Sequence, residues 1–267
     1  MKICAIRDEY RKLEIGILNY YEKSGLYLIE IAPDLKQEEA PVFFDRWLRE
    51  GKRTVSPEWS RRFVESRIVP RDRQNLRSIL HNAGLSEYDP FRLLMFSGGR
   101  CAQDDCTVRE IREQPLWVLQ RMGQWMTAAS ALKDFRLFLL FRDGTCRIVD
   151  MKNVLTGRKM MEILLSRAED FRKVKIACGG RVLVWGEGQQ CMYEELYQSG
   201  VQLPLSGDDM RQILLSQLQD VHDLAARRGV SKQYVSRTLQ QHGVRELRRC
   251  GNSSLYLASD AESVFDK

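Results

Sequence analysis

The pattern of apolar and polar residues along the chain changes repeatedly between the two-residue period of strands and the 3.6-residue period of helices. Residues 13–32 predict two strands joined by a turn near Lys23-Ser24-Gly25. A loop is expected over residues 97–106. Helices are expected over residues 41–50, over 56–67 behind the Ser56-Pro57 opening, from Pro70 to just before Gly84, and from Asp89-Pro90 onward.

The second half of the chain begins with a predicted helix over residues 115–133 and then changes to the strand period. Residues 135–141 predict a strand and residues 146–149 its partner, because Asp143-Gly144 between them favours a hairpin turn. Phe138, Leu140 and Trp185 are assigned to the core. Further elements are a helix over 159–169, strands at 174–176 and 182–185, a helix from Glu194, and helical structure from 204 to 241.

This succession predicts an α+β protein with three parts. Residues 1–110 are expected to form an N-terminal α/β region with basic helices, and residues 111–205 a small central α+β domain. Residues 206–267 are expected to form a helix-turn-helix domain, extended by a wing if residues 244–257 form one. The length of 267 residues allows two or three domains, and the hydrophobic share of 43% is ordinary for a globular chain.

Several features favour a cytoplasmic protein. No run of apolar residues is long enough to span a membrane, and Arg7, Asp8 and Glu9 lie where a secretion signal has its apolar core. The seven cysteines show no dense spacing pattern, which favours a reducing compartment. Cys101 and Cys106 have no second ligand pair, so two ordinary thiols are favoured over a zinc site.

Positive charge is concentrated in two segments, although the whole chain carries only +6. Residues 46–77 contain ten Lys or Arg against four acids, and residues 218–250 contain seven against three. Such segments favour polyanionic partners, because each neutralised phosphate releases counterions. The alternative is that an arginine-rich helix is merely a solvated face.

Residues 219–242 have the pattern of a helix-turn-helix. Ala225 supplies the small residue that two closely crossing helices require, and Gly229 tolerates the positive φ of the turn. Val230 is expected to fill the gap between the helices. Ser231 is expected to cap the second helix by accepting a backbone N–H.

The second helix, about residues 231–241, is expected to enter the major groove as the recognition helix. Val235 and Leu239 are four residues apart and therefore face the first helix. The remaining polar side chains point outward, where Gln and Arg match adenine and guanine edges. The residues expected to contact DNA are Ser231, Lys232, Gln233, Tyr234, Ser236, Arg237, Arg248 and Arg249.

The run Leu224-Ala225-x3-Gly229-Val230-Ser231-x3-Val235-Ser236-Arg237 resembles the headpiece of lac-repressor-type regulators. The resemblance implies a DNA-binding module and covers about 20 residues, so it identifies a module and not a whole protein. The chain departs from that family at Thr238, where an aliphatic residue is usual. Leu239 is expected to supply the packing instead.

Residues 244–257 predict a wing, with strand 244–249, turn 250–254 and return strand 255–257. Arg248 and Arg249 are expected to contact phosphates or the minor groove. The alternative is a small hairpin that only stabilises the domain.

The central stretch, residues 134–197, contains a second resemblance. Its residues are Phe141, Asp143-Gly144, Arg147, Val149-Asp150, Leu155, Phe171, Val174, Ile176, Val184-Trp185 and Glu194-Glu195-Leu196-Tyr197. They resemble the bacterial domain-of-unknown-function family 2442, a small α+β domain that occurs joined to a helix-turn-helix. This resemblance implies architecture and no chemistry. Asp150 is expected to cap a helix.

The N-terminal region resembles segments found beside HipA-type kinase proteins, on Ser66-Arg67-Ile68-Val69-Pro70-Arg71-Asp72-Arg73-Gln74-Asn75 and Gly84-Leu85-x2-Tyr88-Asp89. No nucleotide loop or catalytic loop of a kinase accompanies it. Gly51-Lys52-Arg53-Thr54 resembles the end of a phosphate loop, but Arg46 occupies the place of the required glycine. Asp104-Asp105 could bind a cation, but two adjacent acids in a glycine-rich loop are expected to be solvated. We therefore expect no enzyme activity and no cofactor.

The expected function is a sequence-specific DNA-binding transcriptional regulator that binds double-stranded DNA as a homodimer. Residues 1–205 are expected to dimerise or to sense a protein partner. The alternative is a protein-binding inhibitor or antitoxin-like factor of a phage or mobile element. In that case residues 1–200 block an enzyme, and the helix-turn-helix only autoregulates the operon.

Overall fold

The computed structural model describes residues 1–154, 164–186, 188–251 and 253–265. The chain divides into two compact units, of which the first comprises residues 1–143 and 147–202 and the second residues 144–146 and 203–267. Helices and antiparallel sheets occur together, so the predicted α+β class is confirmed. No helix in the described ranges is long and apolar enough to cross a bilayer.

The first unit begins with an antiparallel five-stranded sheet in the order β4-β3-β2-β1-β5. The predicted hairpin at residues 13–32 is confirmed, whereas the outer strand pairings were not predicted. Val108 of the last strand lies opposite Ile6 of the first, a contact between residues about a hundred positions apart. The strands are β1 (Lys2–Asp8), β2 (Leu13–Tyr21), β3 (Leu26–Ile31), β4 (Thr54–Val55) and β5 (Cys106–Ile111).

Short helices pack against this sheet. Phe44 and Phe63 are fully buried beside Ile29, and the Phe63 ring contacts Phe44. The helix predicted from Pro70 begins only at Leu76, which corrects that boundary. The helices are α1 (Asp45–Arg49), α2 (Pro57–Glu65), α3 (Leu76–Asn82), α4 (Pro90–Ser97) and α5 (Leu116–Gln120).

The predicted helix over residues 115–133 is wrong beyond Gln120. A strand, β6 (Met126–Ala131), follows and pairs antiparallel with β7 (Arg136–Phe141), which turns into β8 (Thr145–Asp150). Met and Ala favour helices, but pairing with a neighbouring strand outweighs that local preference. The β7–β8 hairpin itself is confirmed.

The core residues predicted in β7, Phe138 and Leu140, belong to the wrong alternate set of the strand. Leu137, Leu139 and Phe141 are buried, whereas Phe138 and Leu140 are only half-buried. Residues 137–141 are all apolar, so their pattern does not show which alternate set faces the core.

The first unit ends with an antiparallel sheet in the order β11-β10-β9. Trp185 is buried as predicted and donates its indole N–H to the carbonyl of Phe171 at 3.0 Å. Asp150 accepts from the backbone N–H of Lys152 at 3.0 Å, which confirms its capping role. The elements are α6 (Met151–Val154), α7 (Ala168–Phe171), β9 (Lys175–Ala177), β10 (Val182–Trp185), β11 (Gln189–Met192) and α8 (Tyr193–Ser199).

Part of the second resemblance and of the helix predicted over 159–169 falls on residues 155–163, outside the described residues. Leu155 is among them. Of the predicted helix, residues 164–165 and 168–169 are helical.

Asp104 is not solvated, contrary to expectation. It forms an ion pair with Arg67 at 2.6 Å, and the Arg67 side chain is almost fully buried. Burial favours the neutral acid, but the hydrogen bond and the charge of Arg67 outweigh it and lower the pKa of Asp104. Burial raises the pKa of the neighbouring Cys106 to about 12, so that thiol stays protonated.

A buried ion pair lies between strand β3 and the segment before β10. Glu30 is fully buried, and the guanidinium Nε of Arg181 lies 2.6 Å from its carboxylate. The same guanidinium stacks over the ring of Trp125 at 3.7 Å. Burial raises the pKa of Glu30, and the charges of Arg181 and Arg121 oppose this rise.

The sequence predicted helical structure from residue 204 to residue 241, but the second unit also contains strands in this range. Pro204 lies in a strand, and a further strand separates the first two helices. Beyond it lies an antiparallel sheet in the order β13-β15-β14. The elements are β12 (Val201–Ser206), α9 (Gly207–Gln217), β13 (Leu218–Asp220), α10 (Val221–Arg228), α11 (Lys232–Gln241), β14 (Arg248–Cys250), β15 (Ser253–Leu257) and α12 (Ala258–Glu262).

Candidate nucleic-acid interface

Helices α10 and α11 are joined by the short turn that the sequence predicts. Gly229 ends α10 with φ of +66°, and its N–H donates to the carbonyl of Ala225. This left-handed conformation is the one that glycine adopts without strain. Ser231 caps α11, because its hydroxyl accepts the N–H of Tyr234 at 3.2 Å. Both local predictions are confirmed.

The start of α10 is fixed by a reciprocal capping box. Asp220 accepts the N–H of Asp223 at 2.8 Å, and Asp223 accepts the N–H of Asp220 at 3.3 Å. The hydrogen bond from the Asp223 N–H lowers the pKa of Asp220, against the effect of burial. Ser253 of β15 donates to the second carboxylate oxygen of Asp220 at 3.0 Å. The hairpin β14–β15 is therefore tied to the beginning of the helix pair.

The inner sides of the two helices form a small core. Ala225, Val235 and Leu239 are buried, as predicted, and Leu224 is buried with them. The departure at Thr238 is accommodated, because its hydroxyl donates to the carbonyl of Tyr234 at 2.9 Å.

Val230 does not fill the gap between the helices, which corrects that expectation. Its exposed fraction is 37%. Ala261 of α12 and Tyr256 of β15 pack into the same core instead. Segments that follow the helix pair in the sequence thus complete its packing.

The outer side of α11 is polar and open to solvent. Lys232, Gln233, Ser236 and Arg237 are all exposed. Their spacing places them on one face of the helix, because residues three to four positions apart are neighbours. Tyr234 is 54% exposed, and its ring lies 6.3 Å from the ring of Phe265. Phe265 thus lies beside one of the predicted contact residues.

The wing predicted over residues 244–257 forms a hairpin that is shorter than expected. Strand β14 begins at Arg248 and not at residue 244, and Arg249 lies opposite Ser254 of β15. Arg248, Arg249 and Cys250 are exposed, whereas Asn252 in the expected turn lies outside the described residues. Because successive strand residues point to opposite faces, Arg248 and Arg249 point to opposite sides of the hairpin.

The cations of α11 and of the segment leading into β14 differ from those of α10 in their partners. Arg227 of α10 pairs with Glu262 at 2.7 Å. Within the described residues, no carboxylate pairs with Lys232, Arg237, Arg245, Arg248 or Arg249. Arg245 was missing from the predicted contact residues, although its place in the basic run 245–249 was a usable signal.

Comparison with protein-family models, with curated proteins and with solved structures finds no match to this chain in any of the three. The similarities to lac-repressor-type headpieces, to the domain of unknown function and to the kinase-associated segments stay predictions. The geometry and charge of the chain's own residues are therefore the basis on which we propose a function.

Proposed function

We propose that residues 203–267 bind double-stranded DNA as a helix-turn-helix with an attached hairpin, and that the protein is a sequence-specific regulator. The observation that carries this proposal is the division of α11 into two sides. One side is buried through Val235, Thr238 and Leu239, and the other presents unpaired polar and cationic side chains. The buried side accounts for the packing of the helix, and the exposed cations of the other side can contact phosphates or base edges.

The polar side of α11 has the chemistry to read bases. The beginning of the second helix of such a motif enters the major groove. There Gln233 matches the donor and acceptor of an adenine edge, and Arg237 the two acceptors of guanine. Lys232 lies in the first turn, near the helix N-terminus that favours anions, and suits a phosphate.

The other free cations have the chemistry to hold the DNA backbone. Arg245, Arg248 and Arg249 lie in or just before β14 and have no acidic partner among the described residues. Phosphate contacts fix the position of a protein on the duplex without reading its sequence. Two copies of the protein on one site would double the number of bases read, which is why we propose a homodimer.

The base-reading role is tested by replacing Gln233 and Arg237 together with alanine. Sites are first selected from a random DNA pool with the wild-type protein. We expect the double variant to bind the selected site about 30-fold more weakly, roughly 2 kcal/mol, because two base contacts are lost. Titrations at several salt concentrations measure the affinity and its salt dependence. Half-sites spaced by about ten base pairs in the selected DNA would support a dimer.

The matched control replaces Arg211 and Gln240 with alanine. Both residues are exposed in the same unit, and Arg211 is already paired with Asp208 at 2.9 Å. This control should bind like the wild type. If the double variant of Gln233 and Arg237 had the same DNA affinity and salt dependence as the wild type, the proposal would be wrong. The alternative of a protein-binding inhibitor would then be favoured.

The hairpin gives a different prediction, which concerns phosphates. Because Arg248 and Arg249 point to opposite faces of β14, we expect only one of the single alanine variants to weaken binding. That variant should weaken binding to all sequences alike and reduce the slope of log affinity against log salt by about 1. If neither variant changed the slope, the hairpin would be a stabilising element only.

A further inference from the structure

The first unit contains an open cleft of ≈ 980 Å³ that the proposed DNA contacts do not use. Its lining comes from well-separated parts of the sequence, among them Trp47 of α1, Trp59 of α2, Trp117 of α5 and Glu194 of α8. The volume lies at the upper end of the range of small-molecule sites, roughly 300–1,000 Å³. Apolar and polar groups are mixed along its walls.

Three of the five tryptophans of the chain line this cleft. Trp47 and Trp59 contact each other edge to face, with ring centroids 5.7 Å apart. Trp59 and Trp117 are half-buried, and Arg121 lies over the Trp117 ring at 5.0 Å. Phe43 stacks on the buried Trp47, and Arg62 lies over one face of Trp59 at 4.5 Å. The surfaces on which a planar ligand can stack are therefore the opposite faces of the half-buried Trp59 and Trp117.

Four glutamines share the cleft with the tryptophans. They are Gln120, Gln124, Gln190 and Gln198. None of their side-chain amides forms a hydrogen bond within the part of the chain that the structure describes. Each amide offers a donor beside an acceptor, which is the arrangement that matches the edge of a nucleobase.

The charges of the cleft nearly balance. Its lining holds four cationic and three carboxylate side chains. Arg46 and Lys52 both pair with Glu50, at 3.1 and 2.8 Å. Arg121 lies 3.7 Å from Glu194, which also accepts the Thr54 hydroxyl at 2.8 Å.

Arg53 differs from these cations. Its Nη1 donates to the carbonyls of Ala32 and Leu35, both at 3.0 Å, and no carboxylate pairs with its guanidinium among the described residues. Glu194 accepts the backbone N–H of Arg53 at 3.4 Å. One uncompensated cation suits a ligand with a single anionic group and does not suit a polyphosphate.

We propose that this cleft binds a nucleoside monophosphate. The base stacks on an indole ring and its edge is bound by the glutamine amides, while the phosphate lies at Arg53. The cleft shares no residue with the proposed DNA contacts, so each proposal can fail without the other.

The test is a titration of the full-length protein with the four ribonucleoside monophosphates. Tryptophan fluorescence and calorimetry measure the binding. We expect saturable binding of at least one of them below about 1 mM. The parent nucleoside and ribose 5-phosphate should each bind at least about tenfold more weakly, because each lacks one of the two recognised groups. The nucleoside triphosphate should bind no more tightly.

Three outcomes would overturn the proposal. They are the absence of saturable binding by all four monophosphates, equal binding of ribose 5-phosphate, and tighter binding of the triphosphate. The last would show that the cleft accepts more negative charge than one unpaired arginine accounts for.

Variants locate the site within the cleft. Gln124→Ala and Gln190→Ala should each weaken the best monophosphate severalfold, whereas Gln103→Ala, an exposed glutamine outside the cleft, should not. Arg53→Gln should weaken the monophosphate and leave the nucleoside unchanged. Arg53 also donates hydrogen bonds to two backbone carbonyls, so thermal unfolding is used to check that the Arg53→Gln variant is folded. If both glutamine variants bound the monophosphate as tightly as the wild type, the ligand would bind elsewhere and the proposed site would be wrong.

Discussion

An Arg181→Met variant is expected to lose about 3–5 kcal/mol of unfolding free energy. Arg181 is buried and pairs with Glu30, which has no exposed surface. Methionine fills part of the volume but leaves the Glu30 carboxylate without its nearest cation. Such a carboxylate must either remain charged in an apolar surrounding or take up a proton, and both cost free energy.

Urea unfolding at neutral pH, followed by circular dichroism, measures this loss. The double variant Glu30→Gln with Arg181→Met should lose less than the single variant, because it leaves no buried charge unpaired. Arg62→Met removes an exposed pair with Glu58 and should change stability far less. A double variant as unstable as the Arg181 variant would show that packing, and not charge, dominates at this site.

Leu224→Ala is expected to destabilise the second unit by about 3–5 kcal/mol. Leu224 is fully buried in a small core that has five buried members among the described residues, so the cavity has few neighbours that can relax into it. Small domains have little stability to spare. We therefore expect local unfolding of the helix pair and, with it, loss of the proposed DNA binding.

Hydrogen exchange followed by mass spectrometry tests this prediction. Amides of α10 and α11 should exchange faster in the variant, whereas those of β1 in the first unit should change little. Leu215→Ala is the matched control, because Leu215 lies in the same unit and is 69% exposed. Unchanged protection of α10 and α11 in Leu224→Ala would contradict the small core described above.

The features that the sequence predicted correctly are those with local causes. Gly229 ends α10 and Ser231 caps α11, and both depend on residues at most four positions away. Asp89 likewise caps α4 by accepting the N–H of Phe91 at 2.9 Å. The hairpins β2–β3 and β7–β8 were also predicted correctly, because their short turns bring together strands that are close in sequence.

The features that were missed depend on distant partners. β6 is a strand only because β7 lies beside it, and β5 pairs with β1 across about a hundred residues. Val230 is exposed because Tyr256 and Ala261 fill the core in its place.

The tryptophan-lined cleft is a further case of this kind. Its walls come from α1, α2, α5 and α8, which no single stretch of sequence brings together. The guanidinium of Arg53 has no carboxylate partner among the described residues, and no local sequence pattern indicates this.

Cys250 at the end of β14 makes the hairpin convenient for spectroscopy. It is exposed, whereas Cys101 is half-buried and the other five cysteines are buried. A maleimide dye should therefore attach mainly at this position, next to Arg249 and outside helix α11. A donor at Cys250 and an acceptor on a DNA end would then report the orientation of the duplex by energy transfer, with every side chain of the proposed recognition helix left intact.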